Sequence, residues 1–372
     1  MRIPINDLKR HHDPLANELA DAVKRVMSRG WYILGPEVEA FEAEFATYCG
    51  VPFCTGVGNG TDALELALLA LGIGPGCEVA TVANAGMYGT TAILRAGAKP
   101  VYVDVDEQSM TMSPEALRAV LSRETAAVIV THLYGRMARM EELCEIASRE
   151  KIPLIEDCAQ AHGAQWAGRK SGSWGMLGCF SFYPTKNLGA VGDGGAIVTA
   201  DAALGARVRA LRQYGWTARY RSTLAGGRNS RLDEMQAAVL RAKLPYLDGW
   251  NARRREIAQR YGEALAGTGL ALPAGGSDYV AHLYVVRSRQ RERMRAALAA
   301  TGIGTDVHYP VPDHQQESMR GIGFRPTPLP VTESCAGEVL TLPCFPEMTD
   351  GEVAVAVRAV EDCTSHRELS EP

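Results

Sequence analysis

From residue 36 to about residue 245 the chain repeats one pattern, a short apolar run, a turn, and a segment with helical spacing. No other feature restricts the fold as strongly. Pro36 opens a helix that carries Val38, Phe41, Phe45 and Tyr48 on one face, at spacings of three and four. Phe53–Val57 reads as a strand, and the helix after it carries Leu64, Leu68 and Leu71. Further strands are expected at Pro100–Val103, Ala126–Val130, Ile152–Ile155, Cys179–Phe182 and Gly195–Thr199. Ser113-Pro114 is a helix start, and Met140–Ala147 a helix. Near-continuous apolar strands alternating with helices predict an α/β fold whose large, mostly parallel sheet is covered on both faces. Ligands of such sheets are bound at the carboxyl ends of the strands, so functional groups are sought there.

The composition shifts in the last third. Trp250–Arg260 is rich in Arg and Glu and reads as a connecting helix, while Pro and Gly become frequent over residues 267–276 and 309–330. A strand at Leu283–Val286, a helix at Gln290–Ala300 and a final helix near Gly351–Val360 complete a smaller α+β unit. The expected division is a large domain over residues 1–248, including an N-terminal helical segment, and a small C-terminal domain over residues 249–372. With 372 residues, 46% hydrophobic, the chain can fill two cores.

Charge and cysteine usage narrow the function classes. Lys plus Arg number 39 and Asp plus Glu 43, a net charge of −4 that gives no electrostatic footprint for nucleic acid. The nine cysteines form no C-x-x-C pair and no zinc spacing, so reduced thiols and no metal site are expected. The N-terminus lacks an apolar leader, and no apolar run reaches the roughly 18 residues that cross a bilayer. A cytoplasmic chain without a membrane partner is the expectation.

The glycine-rich stretch Gly56-Val57-Gly58-Asn59-Gly60 is one residue short of a dinucleotide fingerprint, because Thr61 stands where G-x-G-x-x-G requires glycine. What remains is a strand, a tight turn and a helix start near Thr61. Free N–H groups, the helix dipole and the Thr61 hydroxyl could converge there on one anion, or the motif could be a plain cap. A stronger pattern has two halves. Ile155-Glu156-Asp157 puts a carboxylate at the end of an apolar strand, and Ser181-Phe182-Tyr183-Pro184-Thr185-Lys186-Asn187 puts a lysine in the turn after another. A pyridoxal phosphate enzyme needs this set: an amine to form a Schiff base, a carboxylate to keep the pyridine nitrogen protonated, and donors such as Thr61 and Ser181 for the phosphate.

The stretches GNGTDALELAL (58–68), THLYG (131–135), IEDCAQAHGA (155–164), FSFYPTKNLGAVGDGGAIVT (180–199) and GGRNSRLDEMQAAVL (226–240) resemble the nucleotide-sugar aminotransferase family of DegT/StrS type. The resemblance spans about residues 30–315. It implies the aspartate-aminotransferase-like fold (fold type I) and pyridoxal 5'-phosphate as cofactor. By that resemblance Lys186 is the Schiff-base lysine and proton shuttle, and Asp157 pairs with the pyridinium nitrogen. Gln160 lies near the ring's phenolic oxygen. Gly60, Thr61 and Ser181 bind the phosphate, and Asn229, in a loop that family members send into the neighbouring subunit, completes that site. A homodimer with shared active sites follows. Tyr183, His308, Tyr309 and His314 resemble the segments that meet the sugar substrate, and Arg228 and Arg231 could meet a diphosphate or a donor carboxylate. The basic run Arg253-Arg254-Arg255 reads as a solvated helix face.

One departure stands out. Family members carry an aromatic residue that stacks on the cofactor ring, at the place that Gly86 occupies here. Tyr88, two residues later, is the candidate replacement, with a packed helix residue as the competing reading. The resemblance implies transfer of an amino group from L-glutamate to a nucleotide-linked keto sugar. THLYG and EDCAQA, rather than VH[YF]AG and EDxxHA, point to carbon 3 of a dTDP-3-keto-6-deoxyhexose. Action at carbon 4 or on scyllo-inosose, a sugar dehydratase (which has histidine in place of the lysine) and a non-catalytic sensor remain as alternatives.

Overall fold

The computed structural model describes residues 2–365. Its centre is a sheet of seven strands, each placed where a short apolar run occurs. These are β1 (Phe53–Val57), β2 (Glu78–Val82), β3 (Lys99–Val103), β4 (Thr125–Thr131), β5 (Leu154–Asp157), β6 (Leu177–Ser181) and β7 (Gly195–Thr199). Their order across the sheet is β1-β7-β6-β5-β4-β2-β3. Pairs β2–β3, β2–β4, β4–β5 and β5–β6 are parallel, and β7 runs antiparallel to both β1 and β6.

The strand sequences are continuously apolar because both faces are covered. Ala127 and Ile129 of β4 enter one core, with α3 (Gly60–Ala70), α4 (Tyr88–Arg95) and α7 (Ala202–Leu211); Val128 and Val130 enter another, with α5 (Pro114–Val120) and α6 (Met140–Glu150). Successive side chains of a strand point to opposite faces, so one apolar run serves two cores. A third core lies against β6 and β7, where Phe41 and Phe45 of α2 (Pro36–Cys49) meet Phe180 and Phe182 with α8 (Glu234–Lys243) behind them. The Phe45 and Phe180 rings meet edge to face at 4.9 Å. The helix α2 begins at Pro36 as its sequence predicts, but its N-terminus has no local side-chain cap. The Glu234 carboxylate accepts the N–H groups of Gly35, Glu37 and Val38 at 2.8–2.9 Å, a remote acid at the positive end of the helix. A further helix, α1 (Ala16–Arg29), packs on α8.

The connecting helix is α9 (Leu247–Ala264), longer than expected at both ends. It leads to the C-terminal unit of β8 (Tyr284–Arg287), α10 (Arg291–Ala300), α11 (Pro330–Glu338), β9 (Val339–Leu342) and α12 (Asp350–Ser365). β8 and β9 pair antiparallel, and α11 and β9 were not expected. A separate apolar core gathers Ile257, Tyr261, Tyr284, Leu298, Leu340 and Phe345. Ile3 joins it from the other end of the chain and bridges to Ile303. No helix among the described residues is long and apolar enough to cross a membrane. All nine cysteines are free.

Candidate active site

Lys186 sits in the turn that leaves β6. The turn is pinned at both ends: Phe182 donates its N–H to the Gly194 carbonyl, Ala190 to Phe182, and Lys186 itself to Tyr183, at 2.7–2.8 Å. The next residue, Asn187, is buried and anchors the turn to the rest of the molecule. Its amide donates to Asn251 of α9 at 2.7 Å and to the Val280 carbonyl at 3.2 Å, and its oxygen faces His282 Nδ1 at 2.9 Å. Burial pulls the Lys186 amine down to about 8, opposed by the negative charge of Asp157. Burial and then the Lys186 charge hold two neighbouring histidines, His162 and His282, below their ordinary value, so both stay neutral. Neither imidazole therefore adds a second positive charge beside the lysine.

Asp157 ends β5, beside β6 in register with Cys179. Burial raises its carboxyl. The Ala159 N–H at 3.1 Å, the Lys186 charge and the Thr131 hydroxyl at 3.3 Å all favour the ionised form. The preceding Glu156 points the other way and is spent on structure. It accepts the N–H groups of Gly172, Trp174 and Gly175 and bonds His132 Nε2 at 2.9 Å. His132, Glu156 and Cys158 stand close enough to ligate a metal. His132 Nδ1, however, already accepts the Ala138 N–H, so the ring's one proton lies on Nε2, directed at Glu156. Gln160 takes the Tyr134 N–H on its oxygen at 2.6 Å and donates to the Tyr309 hydroxyl at 3.1 Å.

The anion-binding corner is built from α3 and the end of β6. Asn59 caps α3, its side chain accepting the Asp62 N–H at 2.8 Å, and the helix starts at Gly60. A Cβ at Gly60 would lie 2.7 Å from Ser181 Cβ, so only glycine lets the helix N-terminus close on Ser181. Free N–H groups, the Ser181 hydroxyl and the Thr61 hydroxyl one residue on form a cradle suited to a phosphate. Together with a buried amine and a buried carboxylate, the donor set fits pyridoxal phosphate.

A cavity of about 310 Å³ opens above Lys186, lined among others by Tyr88, Gln160, Tyr183, His308 and Tyr309. His308 Nδ1 meets the Thr341 hydroxyl at 2.8 Å. His314 is not brought to this cavity. It faces Glu333 of α11 at 2.9 Å and packs against Tyr102. Asn229 is exposed on the surface, bridged to Gln213 and outside its own chain's cavity. Arg228 is not free for a ligand, since it pairs with Glu65 and Asp62. Nor is the run 253–255 a solvated face. Arg254 is buried, lines the cavity and donates to the carbonyls of Ala281, His282 and Cys344. Asn187, His282 and Arg254 escape the sequence reading because their partners lie on other elements. Asn59 was legible as a cap three residues before Asp62.

The fold and the lysine–carboxylate pair define an aminotransferase, and the chain belongs to the DegT/DnrJ/EryC1/StrS aminotransferase family, whose model matches residues 14–361. The dTDP-3-amino-3,4,6-trideoxy-alpha-D-glucose transaminase of Streptomyces venezuelae is 44% identical over 364 residues, 97% of this chain and 96% of that protein. The UDP-N-acetyl-3-dehydro-alpha-D-glucosamine 3-aminotransferase of Acidithiobacillus ferrooxidans is 43% identical, covering 95% of each chain. The crystal structure of S. venezuelae DesV in complex with a ketimine intermediate superposes with a TM-score of 0.94 at 44% identity, over 98% of this chain and 99% of that one. That of NtdA from Bacillus subtilis with bound cofactor PMP gives 0.90 at 28% identity, over 98% and 85%.

Proposed function

We propose that this chain is a pyridoxal phosphate-dependent aminotransferase that moves an amino group from L-glutamate to carbon 3 of a dTDP-linked 3-keto-6-deoxyhexose. The observation that carries the chemistry is the Lys186 amine, held near neutral pKa beside Asp157 at the carboxyl edge of the sheet. The carbon-3 assignment is supported by the likeness to the S. venezuelae transaminase across nearly the whole chain.

When bound, the cofactor supplies an aldehyde that exchanges with amines and a ring that accepts electrons. Lys186 would hold it covalently, Asp157 would keep a proton on its ring nitrogen, and Gly60, Thr61 and Ser181 would hold its phosphate. With its Nζ unbound and neutral, Lys186 would take the proton from the donor's α carbon and hold it at Nζ for delivery to the cofactor. Only the neutral amine does this. With a pKa of about 8 roughly a tenth of it is neutral at pH 7, against fewer than one molecule in a thousand for an ordinary lysine. In the cofactor-free protein the reactivity of this amine toward an aldehyde should therefore climb with pH and level off just above 8. Tyr183 and His308, at the cavity, would meet the sugar.

A homodimer accompanies this reading. Asn229 is exposed and lies outside the lining of its own cavity, and Trp31, Tyr32, Tyr183, Val191, Tyr214 and Tyr220 are exposed apolar side chains suited to a second copy. Asn229 of each copy would then complete the other's phosphate site.

The test is amino transfer from L-glutamate to a panel of acceptors: dTDP-linked 3-keto and 4-keto 6-deoxyhexoses, a UDP-linked 3-keto sugar and scyllo-inosose. The position of the new nitrogen is read by NMR. Selective amination of the dTDP-linked 3-keto sugar is expected. A second reading, a UDP-linked 3-keto acceptor, is favoured by the likeness to the A. ferrooxidans enzyme and would win if that substrate turns over fastest. Transfer to none of the panel would overturn both.

A further inference from the structure

We propose that Tyr309, reaching across from the C-terminal unit, is the aromatic wall against which the cofactor's ring packs, and that position 86 is glycine to make room for it. The inference rests on the reading that this chain binds pyridoxal phosphate, and it names which side chain grips the ring.

Gly86 lies in the turn between β2 and α4, at φ +72°, with no side chain to offer. A Cβ built there would stand 2.9–3.0 Å from three atoms of the Tyr309 ring. Carbon atoms do not approach that closely, so the ring occupies the space where any side chain of residue 86 would begin. The place is held from several sides. The Tyr309 hydroxyl accepts the Gln160 amide at 3.1 Å, tying the ring to the segment that carries Asp157. The Tyr134 hydroxyl donates to the His308 carbonyl. Further along, Asp313 accepts the Met87 N–H at 2.8 Å and the Thr90 hydroxyl at 2.6 Å, and gives its own N–H to the Ala83 carbonyl at 2.7 Å. Residues 83–90 and 308–313 are thus one interlocked unit, assembled from both ends of the fold.

Tyr88 plays a different part. Its side chain is 49% exposed, and its ring meets that of Tyr309 at 76° with centroids 6.2 Å apart. It props the edge of the Tyr309 ring at the cavity mouth. A protonated pyridine ring is cationic and electron-poor, and an aromatic face out of water is the surface it binds best. Tyr309 shares the cavity with Lys186 and Gln160 and is held in place without the cofactor.

The experiment is titration of cofactor-free protein with pyridoxamine phosphate, following intrinsic fluorescence and the absorption maximum of the bound cofactor. Far-UV circular dichroism and melting temperature establish that each variant is folded. Tyr309→Ala should raise Kd about tenfold, the size of a desolvated cation–aromatic contact, and shift the absorption maximum. Tyr309→Phe, which keeps the ring, should stay within about threefold of wild type, so a loss in Tyr309→Ala is not a folding defect. Gly86→Ala should weaken binding in the wild-type background and weaken it by less in Tyr309→Ala, where the added carbon has no ring to displace and only the strain of a side chain at φ +72° remains. Unchanged affinity in Tyr309→Ala, a larger loss in Tyr88→Ala, or additive effects of the two changes would overturn the proposal. If wild type itself fails to bind pyridoxamine phosphate, the cofactor reading falls first and this inference with it.

Discussion

Lys186→Met should make the cofactor-free protein more stable while abolishing its chemistry. The pull of burial takes the Lys186 amine from an ordinary 10.5 to about 8. At about 1.36 kcal/mol per unit, keeping the ammonium charged in the folded state costs about 3 kcal/mol below pH 8. That figure already includes the attraction of Asp157, since the shift is the net of both effects, so removing the charge recovers all of it. Met has a similar length and no charge, and fills the same volume. The sign with pH follows from the two pKa values. The unfolded chain holds the lysine's proton up to 10.5 and the folded chain only to about 8, so wild-type stability climbs between those values. The advantage of the variant should be near 3 kcal/mol at pH 6.5 and under about 1 kcal/mol at pH 10. Urea unfolding of both proteins at those pH values, with cofactor removed, measures it. A variant less stable than wild type at pH 6.5, or an advantage that does not change with pH, would refute the placement of a charged amine in this site.

Three other perturbations have definite outcomes. The Asp313 carboxyl is pushed up to about 6 by burial, so the folded state keeps its proton longer than the unfolded one. Wild-type stability should therefore lose about 2 kcal/mol through this group between pH 4.5 and 7, a contribution that Asp313→Asn removes in unfolding curves at those two pH values. Gly60→Ala drives a methyl to 2.7 Å from Ser181 Cβ and should cost about 1–3 kcal/mol in stability. It should also weaken pyridoxamine phosphate binding about tenfold or more, since α3 must back away from Ser181; an unchanged Kd would mean that this corner does not hold the phosphate. Glu234→Gln keeps one acceptor but loses the charge that faces three N–H groups at the start of α2, and should lower the urea midpoint by an amount worth about 1–3 kcal/mol.

What the sequence made legible and what it hid divide along one physical line. The sheet could be read because each apolar strand advertises two buried faces within five or so residues: β1 and β7 have the expected limits, β3 begins one residue earlier, and β6 begins two residues earlier and ends one earlier. Asp157 and Lys186 could be read because a strand end and the turn after it are local features, and a charged side chain in such a place has few structural explanations. The two strands that bear them are neighbours, which the sequence does not state but the parallel crossover rule favours. Parts of the site whose meaning lies in a distant partner were invisible. Asn187 is an ordinary turn residue until Asn251, 64 positions away, and His282 appear beside it. Arg254 looks like one of three solvated arginines until its guanidinium is seen capping carbonyls on two other segments. Glu234 looks like a first-turn acid of its own helix, when it caps another one.

Gly86 carries this furthest. Taken alone, a glycine where the family resemblance implies an aromatic ring reads as a damaged pocket, and the nearest aromatic in sequence, Tyr88, becomes the natural substitute. Distance along the chain is the wrong measure, because what a cofactor ring needs is a flat apolar surface at one point in space, whichever segment delivers it. A Cβ at position 86 would stand 2.9–3.0 Å from the Tyr309 ring as it lies here, so in this chain the space beside residue 86 is filled from residue 309. The bare backbone at 86 is intelligible only beside the ring that residue 309, more than 200 positions away in sequence, delivers to the same point.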